Sequence, residues 1–149
     1  FGTVSLVKAP LVNKTFALKA VNKKFVVKNN QQQHLKRELD CMRMLDSKFV
    51  MRLIKTYVDD CKVYFLSEPI LGGELWSQLS AAPKNCFEEY TARFYAGCVL
   101  LGLAHIHDMG LIYRDLKLEN LLIDKRGYVK IVDFGFAKRL EKNQRTYTV

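Results

Sequence analysis

The chain has 149 residues, 49% hydrophobic and 26% charged, which suits one folded domain with a hydrophobic core and excludes a disordered or low-complexity chain. Its formal net charge is +9, and Lys8, Lys14, Lys19, Lys23, Lys24, Lys28, Lys36, Arg37 and Arg43 crowd the first third. No apolar run approaches the length of a membrane span and no leader pattern opens the chain, so a cytoplasmic setting without a membrane span is expected.

Residues 3–7 and 15–21 read as strands, rich in apolar and β-branched side chains, with Pro10 and Asn13 in the turn between them. Residues 31–45 read as a helix, because Leu35, Leu39, Met42 and Leu45 recur at helical spacing as one apolar stripe. Glu38 falls on that stripe beside Leu39 and Met42, so its carboxylate is expected to point inward, where it needs a cation. Residues 54–59 and 62–68 read as a hairpin turning near Asp60-Cys61, and Gly72-Gly73 then breaks the chain. Residues 75–81 read as a short helix. Residues 88–109 read as a long one, apolar nearly all round as a buried central helix would be, which Gly110 stops; in a chain that ends at Val149 parts of it are expected to be exposed. A polar loop over 113–120 precedes two short strands, 121–123 and 128–131, joined by Lys125-Arg126-Gly127. The order predicts an α+β chain of two lobes: a sheet-rich small lobe with one helix over residues 1–68, a connector over 69–74, and the first part of a helical large lobe over 75–149.

Three runs carry chemistry, in this order: Ala17-Leu18-Lys19, Tyr113-Arg114-Asp115-Leu116-Lys117-Leu118-Glu119-Asn120, and Asp133-Phe134-Gly135. A lone strand lysine is usually solvated and a lone Asp-Phe-Gly arises by chance; together, in order and at this spacing, the three runs resemble the protein-kinase signature set, which implies phosphoryl transfer. Phosphoryl transfer asks a protein mainly to position reactants and offset negative charge. Lys19 can reach phosphates and needs an anion to place it, while Glu38 is a buried carboxylate without a partner, so the two are expected to pair across the small lobe. Asn120 and Asp133 offer oxygen ligands of the kind Mg²⁺ takes.

Over essentially its whole length the chain resembles the eukaryotic protein kinases. The resemblance implies ATP and Mg²⁺ as cofactors. It implies that Asp115 orients the substrate hydroxyl and accepts its proton, that Lys117 holds the γ-phosphate, and that Asn120 and Asp133 hold the metal ions. Gly2 resembles the end of a glycine-rich loop, on its spacing to Lys19. Val4 and Ala17 would roof the adenine ring and Leu122 would floor it; Glu68 and Ile70 lie in the connector that offers backbone groups to the adenine edge. Ser67, small where the family often carries a larger side chain, would open a cavity behind the adenine. Met42, Leu53, Tyr113 and Phe134 match the apolar stack that ties the lobes together, and Leu118 replaces the usual proline of the catalytic loop.

Tyr113 in place of the usual His, with Asp133-Phe134-Gly135-Phe136-Ala137-Lys138, resembles the cyclic-nucleotide-regulated branch of the basophilic AGC kinases. Gly72-Gly73-Glu74-Leu75-Trp76, Phe87-Glu88-Glu89 and Ala92-Arg93-Phe94-Tyr95 resemble the cGMP-dependent family more than the cAMP-dependent one, which stands as the alternative. The branch implies serine/threonine targets in basic protein substrates, with Glu74 and Glu119 pairing to substrate arginines, and a cyclic-nucleotide-binding regulatory region in the parent protein. It implies phosphorylation at Thr148, with His34, Arg114 and Lys138 receiving the phosphate.

Two other classes compete. A pseudokinase scaffold would lack the chemistry, but Lys19, Asp115, Asn120 and Asp133 are all present. A nucleic-acid-binding module would need a groove-reading motif or aromatic residues between the basic ones, and neither is found, so no nucleic-acid partner is expected. Cys41, Cys61, Cys86 and Cys98 have no zinc or redox spacing and fit a reducing compartment. The chain opens on Phe1 and stops at Val149, short of the segment that closes the family's activation loop; it is expected to be a piece of a longer protein and inactive alone.

Overall fold

The computed structural model describes residues 2–10 and 13–140. The chain folds as an α+β structure with an antiparallel sheet followed by a mainly helical part. Strands β1 (Gly2–Ala9), β2 (Lys14–Asn22), β3 (Leu53–Val58) and β4 (Lys62–Ser67) form one four-stranded sheet in the order β1-β2-β4-β3. The register places Val4 opposite Lys19 and Lys19 opposite Phe65, then Leu6 opposite Ala17 and Ala17 opposite Ser67. Directly opposed residues share a face and alternate residues along a strand return to it. Val4, Leu6, Ala17, Lys19, Phe65 and Ser67 therefore line one side of the sheet. The β3–β4 turn is set by Asp59, whose carboxylate accepts the N–H groups of Cys61 and Lys62 at 2.7 and 2.6 Å and the Tyr64 hydroxyl at 2.8 Å.

Two helices, not one, lie between β2 and β3. The expected one is α2 (Gln32–Met44), which buries Glu38, Cys41 and Met42. Before it comes a short helix, α1 (Lys23–Lys28), in a stretch whose Val26-Val27 pair argues against helix. Two things override propensity there. The Asn22 side chain caps the N–H groups of Lys24 and Phe25 at 2.9 and 3.4 Å, and Val26 is buried in the core.

In the second part, α3 (Leu75–Ala81) and α4 (Glu89–Asp108) precede two small two-stranded sheets. One pairs β5 (Leu111–Ile112) with β8 (Lys138–Arg139); the other pairs β6 (Leu121–Ile123) with β7 (Val129–Ile131). α4 ends where Gly110 takes φ +69°, as its sequence anticipates. α4 buries Cys98, Gly102 and Ile106, packs on β7, and leaves Leu100 67% exposed with Tyr90 and Leu101 also outward. All-round apolarity reports what a helix could bury, and only the neighbours present decide what it does. A hollow of about 430 Å³ on this side is lined by Leu75, Leu79, Phe87, Tyr95 and Val99.

The two parts are joined by backbone. Met51 N–H donates to the Ile131 carbonyl and Ile131 N–H to the Phe49 carbonyl, each at 2.9 Å, so residues 49–51 run beside β7 as a parallel bridge. Gly72 N–H reaches the Ile123 carbonyl at 2.8 Å, and a side chain at Gly72 would collide with that oxygen. No described helix is long and apolar enough to cross a membrane.

Candidate active site

Lys19 leaves β2 on the shared face of the sheet, and Glu38 lies on the inner stripe of α2. Lys19 Nζ donates to Glu38 Oε1 at 2.6 Å. Glu38 is 7% exposed, and the Lys19 ammonium also stands over the Phe65 ring, 5.7 Å from its centroid. A carboxylate this buried is tolerable because it is paired. The pair borders a cavity of about 400 Å³ whose wall also includes Gly2, His34, Asp133 and Gly135.

The loop after β5 gathers a second cluster. Lys117 Nζ lies 3.0 and 3.2 Å from the two carboxylate oxygens of Asp115. That hydrogen bond, with the Asp115 charge behind it, holds the Lys117 ammonium above its usual pKa. Asn120, buried at the end of a 3₁₀ turn, spends its amide nitrogen on Asp115: 3.0 Å to the backbone carbonyl and 2.7 Å to Oδ2. The amide oxygen of Asn120 is then the end suited to a cation. Arg114 and Asp133 both take positive φ, 66° and 58°, a region that L residues enter at a cost and that concentrates at functional sites. Tyr113 anchors this backbone. Its hydroxyl donates to the Val132 carbonyl at 2.6 Å, and its ring meets the buried Phe134 ring edge-on at 5.5 Å. Burial, helped by the charges of Asp133 and Asp115, pushes the Tyr113 hydroxyl well above the usual tyrosine range, so it stays protonated.

The other expected residues are dispersed. Val4 is 64% exposed on the sheet face it shares with Lys19. Ala17 and Ile70 are half-buried, as is Leu122, which pairs with Lys130 across β6–β7. Ser67 is buried with its hydroxyl 3.5 Å from the Ala17 carbonyl, and it does not line the cavity beside Lys19 and Glu38. Glu74 begins α3 without capping it through its side chain, and both Glu74 and Glu119 are exposed. Arg114 Nε donates to the Phe136 carbonyl at 2.9 Å. His34 and Lys138 line different hollows. Thr148 lies outside the described residues.

One interaction was missed by the sequence reading: Lys130, 7% exposed in β7, donates to Glu68 Oε1 at 2.8 Å. The available signal was a lysine between Val129 and Ile131 in a buried strand, which demands an anion as Glu38 demands a cation.

Among the described residues no three acidic, His or Cys side chains gather into a metal site. A divalent ion at Asn120 and Asp133 would thus complete its shell with other oxygens, as Mg²⁺ does with nucleotide phosphates and water. The donor set fits that ion.

A sheet capped by a helix through a lysine–glutamate pair that shares a cavity with an Asp-Phe-Gly turn, together with a separate cluster of Asp115, Lys117 and Asn120, is the constellation of a phosphotransferase. The protein kinase domain family model matches residues 1–149, and the chain belongs to that family. It is 45% identical to cGMP-dependent protein kinase 2 of Homo sapiens over 148 residues, covering 99% of this chain and 19% of that protein. It is 47% identical over 152 residues to the cGMP-dependent protein kinase egl-4 of Caenorhabditis elegans, again over 99% of this chain and 19% of the relative. Isozyme 1 of the cGMP-dependent protein kinase of Drosophila melanogaster is 45% identical over 150 residues, over 99% of this chain and 19% of that protein. The chain thus spans about a fifth of the length of the curated relatives it matches.

Proposed function

We propose that the chain is the nucleotide-binding and catalytic part of a serine/threonine protein kinase of the cGMP-dependent type. It would transfer the γ-phosphoryl group of ATP to Ser or Thr in basic protein substrates. Residues 1–68 would act as the small lobe, 69–74 as the connector and 75–149 as the start of the large lobe. The observation that carries the reading is the Lys19–Glu38 pair at 2.6 Å on the wall of a cavity that also contains Asp133.

In this reading Lys19, oriented by Glu38, meets the α- and β-phosphates, and Gly2 lets the backbone of β1 lie over them. Val4, Ala17 and Leu122 enclose the adenine, with Ser67 behind it and Glu68 and Ile70 at its edge. Asp115 accepts the hydroxyl proton of the substrate while Lys117, 3.0 Å away, stays charged and faces the γ-phosphate. Asn120 and Asp133 hold Mg²⁺, which when bound neutralises phosphate charge. Glu74 and Glu119, exposed and anionic, suit arginines of a substrate. Phosphate on Thr148 would be received by His34, Arg114 and Lys138. A cyclic-nucleotide-binding region belongs to the reading as the regulatory partner in the parent protein, in a cytoplasmic setting.

The test is transfer of phosphate from Mg-ATP to a peptide with arginines upstream of serine, by the intact parent protein with and without cGMP. Asp115→Asn should lower kcat about a thousandfold or more with little change in ATP binding. Equal rates in the two proteins would remove the proposal, and stimulation by cAMP alone would move it to the sister branch.

A further inference from the structure

Lys130 is the middle residue of β7, in which Val129, Lys130 and Ile131 are all buried. Besides its 2.8 Å bond to Glu68 Oε1, its ammonium lies 3.5 Å from the Val50 carbonyl oxygen. The same Glu68 oxygen accepts the Arg52 N–H at 2.9 Å, and the Glu68 N–H donates to the Arg52 carbonyl at 3.1 Å. One carboxylate therefore ties together three segments: the approach to β3, the residue that follows β4, and β7. With its N–H committed to Arg52, Glu68 has only its backbone carbonyl to offer a nucleotide edge. Lys130 also stands opposite Leu122 in the β6–β7 register, so the two side chains share a face.

We propose, on the basis of the kinase reading above, that Lys130 is a positioning residue for the nucleotide. Its ammonium holds the Glu68 carboxylate, and so sets where the Glu68 backbone carbonyl stands. In the kinase reading that carbonyl is the connector group that would meet the amino group of adenine. Guanine carries an oxygen at the same ring position. A carbonyl held in place repels that oxygen, whereas one free to turn away does not. Lys130 thus governs nucleotide affinity and the preference for adenine without touching the nucleotide.

The test uses the intact kinase with Lys130→Met, which keeps the stem and removes the charge, and Lys130→Arg, which keeps the charge. In Lys130→Met the KM for ATP should rise about tenfold, kcat should change less than about threefold, and the preference for ATP over GTP should fall about fivefold. Lys130→Arg should recover most of the loss. The double variant Lys130→Met/Glu68→Gln, which leaves no unpaired carboxylate, should fold even where Lys130→Met does not, and should show the same loss of nucleotide preference. An unchanged KM and an unchanged ATP/GTP ratio in a folded variant would overturn the inference. So would a drop in kcat and melting temperature with KM unaltered. If the unmodified protein neither binds ATP nor transfers phosphate, the kinase reading itself falls; if it does both and the variants match it, only the role of Lys130 falls.

Discussion

Gly102 and Gly97 sit five residues apart in α4 and should respond in opposite senses to the same substitution. A methyl group at Gly102 would lie 2.8 Å from Ile131 Cδ1 and 3.0 Å from the Phe49 carbonyl oxygen; at Gly97 it would meet nothing within 4 Å. Replacing a mid-helix glycine by alanine is worth up to about 1 kcal/mol through backbone entropy. At Gly97 nothing opposes that gain. At Gly102 the gain stands against overpacking, typically ~1–3 kcal/mol. Relief is blocked there, because Ile131 is fully buried and its N–H is bonded to the very carbonyl that Phe49 would have to move. Gly102→Ala should therefore destabilise by about 1–2 kcal/mol, while Gly97→Ala stabilises by about 1 kcal/mol or less. In a domain of this size the two melting temperatures should part by about 4–10 °C. The assay is thermal unfolding of both variants beside the parent protein, followed by circular dichroism. A Gly102→Ala protein as stable as Gly97→Ala would refute the packing of α4 on β7, and with it the seating of the Asp133 turn.

Glu38→Ala should lower kcat/KM about a hundredfold, because Lys19 loses its anchor; its side chain is 27% exposed, so water can solvate the released ammonium and the stability loss should stay below the ~3–5 kcal/mol of a fully buried pair. Steady-state kinetics and unfolding on one preparation separate the two effects. Asp59 has a carboxyl held below its usual pKa, first by the Tyr64 hydroxyl and then by the Lys62 and Cys61 N–H groups. A depressed folded-state pKa stabilises above the unfolded value and stops doing so as pH falls through the folded one. Asp59→Asn should thus lower the melting temperature at neutral pH and flatten its acid dependence below about pH 4, and parallel curves for the two proteins would count against this turn. Ser67→Met should weaken a bulky adenine-mimicking inhibitor about tenfold or more, and an unchanged inhibition constant would mean that Ser67 opens no rear space.

The elements that could be read in advance are those whose signal is local. The helix over 75–81 is found where its sequence places it, at α3 (Leu75–Ala81), directly after the break at Gly72-Gly73, where Gly73 takes positive φ. The pairing of Lys19 with Glu38 was legible because a carboxylate on an apolar stripe states its own need. Lys130 states the same need, but its partner lies 62 residues earlier and was read only for its backbone. Helix α1 escaped because its cap, Asn22, is also the last residue of β2, and the β-branched pair after it speaks for strand.

The outward apolar row of α4 sets up a contest between two forces of different range. Leu100, Leu101 and Tyr90 face outward on a chain that carries a formal net charge of +9. Like charge keeps molecules apart over roughly 10 Å at moderate ionic strength and shrinks as electrolyte is added, while the attraction between apolar rows survives it. For the 149-residue chain by itself the expected outcome is dispersal in dilute buffer and clustering as potassium chloride is raised, read by light scattering; scattering that does not change with salt would count against it.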